Sequence, residues 1–377
     1  MAKIIDRFVN RAMIALSRYK DKQEVKSYID GIRSSYDKLT NKEELTKEQE
    51  GEIQEYYTSL LGHPIPLDWH RYFYARTGVF SEKYMPTSLY RTELMGRLND
   101  YTLKKAYTDK NISDLILPMA PQPKMILKNM NGYYYVEGKS VSKEEAIERC
   151  SSLGKVIIKP STLSRGRGVQ ILNLKNGINE KDGESIAKLF DGYKKDFVIE
   201  EVVTQHERMA ALNPSSVNTI RILTYRNKMG VKAIYTVIRI GRKDQTIDNE
   251  SAGGISARIN PDGRLAKYAF GAPGVDHVEY TDSGVKLENY EIPHFDDAVD
   301  LAKQLHLYLP FFNIVGWDMA ITPDGSPIMI EFNVNPDLSQ SANGPAFGNY
   351  TEEIIKEAIK KKNTWSKLTT ECLYKGI

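Results

Sequence analysis

Cysteine is nearly absent from the chain: Cys150 and Cys372 are the only two in 377 residues. They show neither metal-site spacing nor a disulfide framework, which fits a reducing compartment. Long apolar runs are missing too. No stretch is continuous enough for a membrane span or a secretory leader, so the expectation is a soluble, cytoplasmic protein with no membrane span. Charge of one sign is not in excess. The formal net charge of +3 gives no basis for a nucleic-acid surface. Internal repeats and low-complexity linkers do not occur. What remains is globular in character, 41% hydrophobic and 27% charged. At this length two or three subdomains are expected. The oligomeric state is left open.

The first sixty residues read as helical, rich in Lys, Glu, Gln and Leu. Thr40-Asn41-Lys42-Glu43 and Thr46-Lys47-Glu48-Gln49 resemble helix starts. Ile4, Ile5, Phe8, Val9, Met13, Ile14 and Leu16 recur at helical spacing among basic residues. Such a helix packs on its own domain or touches an anionic membrane surface. Aromatic residues cluster at Trp69, Tyr72, Phe73, Tyr74 and Phe80 around His70 and Arg71. They form a helical subdomain's core or line an acceptor site. Residues 100–118 read as one helix, stopped at Pro118 and carrying Lys110. A hairpin follows over 125–136 with Asn131-Gly132 at its turn, and Ser142 opens a helix.

The chemistry-bearing segments come next. Lys155–Pro160 is a buried-looking strand that ends in Lys159. The loop 161–168 follows, then a strand from Val169. Ser161, Thr162 and Ser164 supply hydroxyls, Lys159 and Arg165 charge, and Gly166 and Gly168 close backbone approach. That combination suits phosphate oxygens. It is neither a Walker loop nor a dinucleotide fingerprint, because no helix follows. Phe197–Val203 is a strand whose end carries Glu200 and Glu201. Gln205, His206 and Glu207 follow. Asn218–Thr224 and Lys232–Arg239 are paired strands, with Arg221 on the Thr219 face. Ser251–Arg258 is a glycine-rich loop. Residues 296–308 make an amphipathic helix, and Thr351–Lys362 a last one.

The most informative stretch is 313–335. Two apolar runs flank Pro323-Asp324-Gly325, the strongest short hairpin signal. Folding about Asp324-Gly325 sets Asp318 opposite Glu331 and puts Asn333 on the same face. Trp317, Phe332 and Val334 point to the core. Opposed carboxylates repel unless neutralised. Three oxygen-bearing side chains suit a hard cation such as Mg2+. An edge hairpin with a solvated polar face has the same pattern.

The order of these features resembles the ATP-grasp superfamily. Asp318, Glu331 and Asn333, thirteen residues and then two apart, match the magnesium triad of D-alanine–D-alanine ligases. Gln205-His206, Asn213-Pro-Ser-Ser-Val-Asn-Thr-Ile-Arg221, Ser251-Ala-Gly-Gly254, Gly316-Trp-Asp-Met-Ala320 and Ile330-Glu-Phe-Asn333 resemble the narrower sugar-transfer associated ATP-grasp family. The resemblance implies an α+β ATP-grasp fold, two subdomains sandwiching ATP. It places a mainly helical region at 1–99 and the catalytic region at 100–377, with a lid at about 120–203.

It also implies roles. Lys110 and Lys159 resemble the phosphate-binding lysines, and 161–168 the lid over the phosphates. Glu200, Glu201 and Val203 resemble the adenine hinge, with Glu207 near the base or ribose. Asp318, Glu331 and Asn333 resemble the Mg2+ ligands. D-alanine–D-alanine ligases carry an arginine where this chain has Gly316, so another cation is needed. Arg221 is the first candidate and Arg258 the second. The implied reaction is ATP-dependent carboxylate–amine ligation through an acylphosphate, on a sugar acid or amino acid in surface-polysaccharide biosynthesis. A sugar or polyol kinase uses the same nucleotide residues. A non-catalytic ATP-binding scaffold is the third alternative.

Overall fold

The structure is a computed structural model that describes residues 19, 22–40, 42–163, 166–243, 248, 250–273 and 277–361. Expectations for residues 1–18, Ser164, Arg165, Lys362 and Cys372 lie outside them.

Two antiparallel sheets organise the described residues. The first contains β1 Met125–Met130, β2 Tyr133–Val136, β3 Lys139–Val141, β4 Gly154–Pro160, β5 Gln170–Lys175, β6 Ile178–Asn179 and β7 Phe197–Glu201. Its order is β3-β2-β1-β7-β4-β5-β6. The expected Asn131-Gly132 turn is there, with φ of 52° and 93°. Those positive angles twist the turn to match its strands, which is why Asn-Gly is favoured. Helices Lys143–Ser151 and Ile186–Tyr193 cover this sheet around Leu127, Ile158, Phe190 and Phe197. Ser142 and Glu145 cap the first in a reciprocal box.

The second sheet contains β8 Thr219–Asn227, β9 Gly230–Ile240, β10 Ile255–Ile259, β11 Leu265–Phe270, β12 Ile314–Ile321 and β13 Pro327–Asn333. Its order is β11-β10-β9-β8-β12-β13. Strand alternation gives it two unlike faces. On one, Ile220, Ile222, Ile238, Ala257, Trp317 and Phe332 bury against helix Phe295–His306. The other face is divided. One half, with Leu223, Tyr225, Tyr235, Val237 and Ile314, packs on helices Lys47–Leu61 and Thr351–Ile359 and on residues 85–98. The remaining half carries Thr219, Arg221, Ser256 and Asp318, polar yet buried. That half is the floor of the site.

Three local expectations need correction. Residues 100–118 are not one helix. Single turns at Lys104–Tyr107 and Ser113–Ile116 flank a 3₁₀ turn, Lys110–Ile112. Asp109 causes the break, because its carboxylate accepts from Asn111 N at 3.0 Å and so competes with helix continuation. Thr40 opens no helix; Thr46 does, with a capping box to Gln49. The third is the hairpin tip. Thr322 N donates to Ser326 O at 3.0 Å around a three-residue loop, with Gly325 at φ 88°. A register shift between Asp318 and Met319 compensates, so Asp318 still faces Glu331 and Gly316 faces Asn333. The aromatic cluster is core: Trp69, Tyr72, Phe73 and Tyr84 pack with Tyr28, Ile29 and Ile32.

Candidate active site

A cleft of about 550 Å³ lies between the two sheets. Lys155, Ile157 and Lys159 line it from alternate positions of β4, with Gly166, Val169 and Ile171 beyond them. Residues 200–205 form its back, where the chain passes from the first sheet to the second. Thr219, Arg239, Asp318, Ile330 and Glu331 form its floor. Apolar walls with a few convergent charges are what a nucleotide-sized ligand needs.

The charges are paired across the cleft. Lys159 Nζ lies 2.6 Å from Glu200 Oε2, both buried. Lys110 Nζ donates to Leu163 O at 2.9 Å and lies 3.7 Å from Glu331 Oε2. Lys110 thus joins the loop after β4 to β13. Asp318 is held on both oxygens. Arg221 donates to them through Nε at 2.6 Å and Nη2 at 3.0 Å. Arg239 Nη1 donates to both at 3.1 Å. Burial disfavours a charged Asp318, but the two guanidiniums outweigh it and keep its carboxyl below the usual range. Arg239 Nη2 also donates to Asp248 Oδ1 at 2.9 Å. Asp248 accepts from Thr219 N at 3.2 Å and from the Thr219 hydroxyl. Burial pushes the Asp248 carboxyl up, with Arg239 opposing.

The structure therefore brings Lys110, Lys159, Gly166, Glu200, Glu201, Val203, Asp318 and Glu331 onto one cleft. Arg221 reaches it through Asp318. Asn333 is two residues beyond Glu331 on β13, its carboxamide oxygen accepting from Asn335 N at 2.8 Å. Other expected residues have different places. Ser161 is fully buried with an unpartnered hydroxyl and does not line the cleft. Gly168 allows close packing: a Cβ there would meet Pro160 Cγ at 2.9 Å. Glu207 begins helix Glu207–Leu212 and His206 caps it, Nδ1 accepting from Arg208 N. Arg258 is exposed on β10, away from the cleft lining. Arg239 takes the place expected of it, because β9 pairs directly with β8 and sets Arg239 beside Thr219.

The Asn213–Arg221 block is a knot of side chains. Asn218 Nδ2 donates to Met209 O at 2.8 Å and Asn213 O at 2.9 Å. Gln205 bridges Ser216 O and Asn218 N at 2.6 and 3.0 Å. Gly241 packs so closely that a Cβ would lie 2.4 Å from Ser216 Oγ. The block fixes the start of β8, and so the position of Arg221.

The model of the sugar-transfer associated ATP-grasp family matches residues 89–356. The chain belongs to that family. No curated protein matches it. Among solved structures, a D-alanine–D-alanine ligase from Bacillus anthracis is 15% identical with a TM-score of 0.38, over 70% of this chain and 69% of that one. The ATP-grasp ligase PsnB, complexed with a minimal precursor, is 13% identical with a TM-score of 0.38, over 70% and 62%. The biotin carboxylase domain of Hydrogenobacter thermophilus 2-oxoglutarate carboxylase is 14% identical with a TM-score of 0.40, over 69% and 47%. The chain spans about two thirds of the first two and about half of the third. Likenesses this low carry no argument about the reaction.

Within this sugar-transfer associated ATP-grasp chain, Gly316 now has a physical reason. A Cβ there would lie 2.8 Å from Pro336 Cβ and 3.6 Å from Arg221 Cδ. Arg221 and the 333–337 turn fill the space that a side chain at 316 would take. Arg91, which the sequence reading passed over, grips that turn. It donates to Asn335 O at 3.0 Å, to the Asn335 side chain and to Asp337. It sits on a π-helical turn, Tyr90–Leu94, a deformation frequent at functional sites. Among the described residues no helix is long and apolar enough to cross a membrane.

Proposed function

We propose that the chain is an ATP- and Mg2+-dependent carboxylate–amine ligase. The observation that supports this best is the pairing of Asp318 with Glu331 on β12 and β13. They lie on one cleft with Lys159 and the lid hairpin, in a chain of this family. Glu200–Val203, with Ile157 and Ile330, would hold the base of ATP, and Lys159, Lys110 and the lid its phosphates.

The donor set fits the metal. Glu331 and Asn333 offer oxygens only, and Asp318 does so once an ion displaces the Arg239 contacts to its carboxylate. Among the described residues no group of three or more His, Cys, Asp or Glu is placed to hold an ion. Magnesium in nucleotide sites uses one or two carboxylates plus phosphate oxygens and water, so this sparse set is sufficient. Bound there, the ion neutralises phosphate charge and orients the phosphates.

The protein's own work is positioning and charge. A substrate carboxylate attacks the γ-phosphorus and ADP leaves; the amine then attacks the acyl carbon and phosphate leaves. Lys110 and Lys159 stabilise the transferring phosphoryl group, and Arg221 and Arg239 stabilise negative charge near Asp318. The lid excludes water from the acylphosphate. The substrate is read as a sugar acid or amino acid of surface-polysaccharide biosynthesis; the family's description, sugar-transfer associated, supports the link to sugar chemistry alone. The test is incubation with ATP, Mg2+, a panel of such acids and hydroxylamine. Acid-dependent ADP release with hydroxamate formation is expected. Release with neither acid dependence nor hydroxamate, across a broad panel, refutes the reading. Phosphate retained on a hydroxyl of the product, seen by mass spectrometry, replaces it with a kinase.

A further inference from the structure

The floor of the second sheet continues past Arg239 into a second polar group. Two buried nitrogens there, Arg76 Nε and Nη1, have no hydrogen-bond partner, and beside them the buried Ser256 hydroxyl meets only the Glu250 carboxyl. Buried polar groups in native folds are nearly always satisfied, so orphans that lie close together call for a missing partner. Arg76 is 9% exposed. Its Nη2 donates to Gly271 O at 2.7 Å, which anchors one edge of the guanidinium. Its plane lies over the Tyr72 and Phe270 rings, 5.9 and 5.6 Å from their centroids. Those faces hold the guanidinium in place but give its other two nitrogens no acceptor.

Ser256 ties this group to the site described above. It is the direct cross-strand partner of Arg239 on one side and of Phe270 on the other. Three strand spacings and a two-residue offset separate Ser256 on β10 from Asp318 on β12, a distance of about 16 Å. That interval accommodates a terminal phosphate and an acyl group. Glu250 completes the set. Its carboxyl lies against Ser256 and within electrostatic reach of Arg239 and Arg76. Burial raises its pKa, with Ser256 and the arginines opposing.

We infer that Arg76, Ser256 and Glu250 bind a free α-amino acid, the amine substrate of the ligation. The inference rests on the ligase reading and names that substrate's class. The carboxylate takes the free edge of Arg76 and the Ser256 hydroxyl; the ammonium takes Glu250. A simple anion is repelled by Glu250 and a simple cation by Arg76, whereas a zwitterion satisfies both. Arg76 lies on the Phe270 side of Ser256 and Arg239 on the other, so the carboxylate sits away from Asp318 and the nitrogen end faces it, where the acyl group is activated. Arg76 and Tyr72 precede the residues that the family model matches. Arg76 therefore adds a contact from outside the matched region, while Glu250 and Ser256 lie within it.

Isothermal titration tests this on the full chain with Mg2+ and a non-hydrolysable ATP analogue. Glycine, L-alanine, D-alanine, L-glutamate and L-lysine are the first titrants. The N-acetyl and α-amide forms of any that binds come next. At least one free amino acid binds, and both blocked forms bind at least tenfold more weakly. Arg76→Met removes the preference for the acid over the amide. Glu250→Gln removes the preference for the free amine over the N-acetyl form. Both variants keep their affinity for the analogue, which certifies the fold. If Arg76→Met does not fold, Glu250→Gln and the blocked ligands still decide. Analogue binding without binding of any amino acid overturns the proposal and leaves the nucleotide site standing. Equal binding of blocked and free forms, or unchanged preferences in both variants, also overturns it. Failure of the analogue to bind removes the ATP site and this inference with it.

Discussion

Replacing Arg239 with methionine separates two jobs that one side chain performs. Arg239 donates to Asp318 at 3.1 Å and to Asp248 at 2.9 Å, and all three side chains are buried. Removing one partner of a buried pair leaves the other charged and desolvated, at a cost of about 3–5 kcal/mol. Asp318 keeps both bonds from Arg221, so most of the cost falls on Asp248. Asp248 keeps only its Thr219 contacts, and the expected loss in Arg239→Met is about 3 kcal/mol, the lower end of that range. Adding Asp248→Asn removes the stranded charge and restores most of the loss. Activity does not return, because Asp318 still lacks its second guanidinium; removing such a support typically lowers activity by about 10–100-fold. The pH dependence follows from the same pair. Burial raises the Asp248 pKa in the fold, so charge on Asp248 opposes folding above that pKa and vanishes below it. The stability gap between Arg239→Met and the parent chain therefore narrows as pH falls. Urea midpoints at several pH values, with hydroxamate assays on the same samples, measure both effects. A double variant no more stable than Arg239→Met refutes the reasoning about Asp248. A double variant with full activity refutes the role given to Arg239.

Three further outcomes are expected. Gly316→Ala pushes a methyl group to 2.8 Å from Pro336 Cβ and destabilises by about 1–3 kcal/mol through overpacking; an unchanged urea midpoint shows that the turn yields freely. Lys159→Met strands the buried Glu200 carboxylate 2.6 Å away; adding Glu200→Gln recovers stability but not nucleotide affinity, and titration with an ATP analogue distinguishes the two. His306 is buried between the Thr224 hydroxyl at 2.7 Å and Phe312 O at 2.9 Å, and burial lowers its pKa from 6.5 to about 4. Its neutral form is favoured in the fold, so stability is full above pH 6.5 and falls by about 3 kcal/mol as pH drops to 4. His306→Gln loses less stability than the parent chain over that window, and equal pH profiles contradict the assignment.

How much of this was legible in the sequence depends on the range of the interaction. The Asp318–Glu331 pairing needed only alternation and an Asp-Gly turn, both local. It survived an error in the turn because the register shift at Asp318 restores the pairing the site requires. Lys159 was legible for the same reason, as the polar end of an apolar strand. The single helix expected over 100–118 failed at Asp109, where a side-chain cap defeats the surrounding helical composition. Arg239 was hidden because nothing beside it in sequence is unusual. Its meaning comes from pairing with Thr219 on β8 and from Asp248 folding back over it. Arg76 lay deeper still, inside an aromatic segment whose periodicity correctly indicates core. The pattern has a physical cause. Most of the groups proposed for nucleotide and metal sit on strands or the loops that join them, where local rules constrain the sequence. The groups assigned to the acceptor converge from a helix, a loop and a strand far apart in the chain. Each looks ordinary alone, and only the unpartnered nitrogens of Arg76, visible once the sheet is assembled, draw attention to the set.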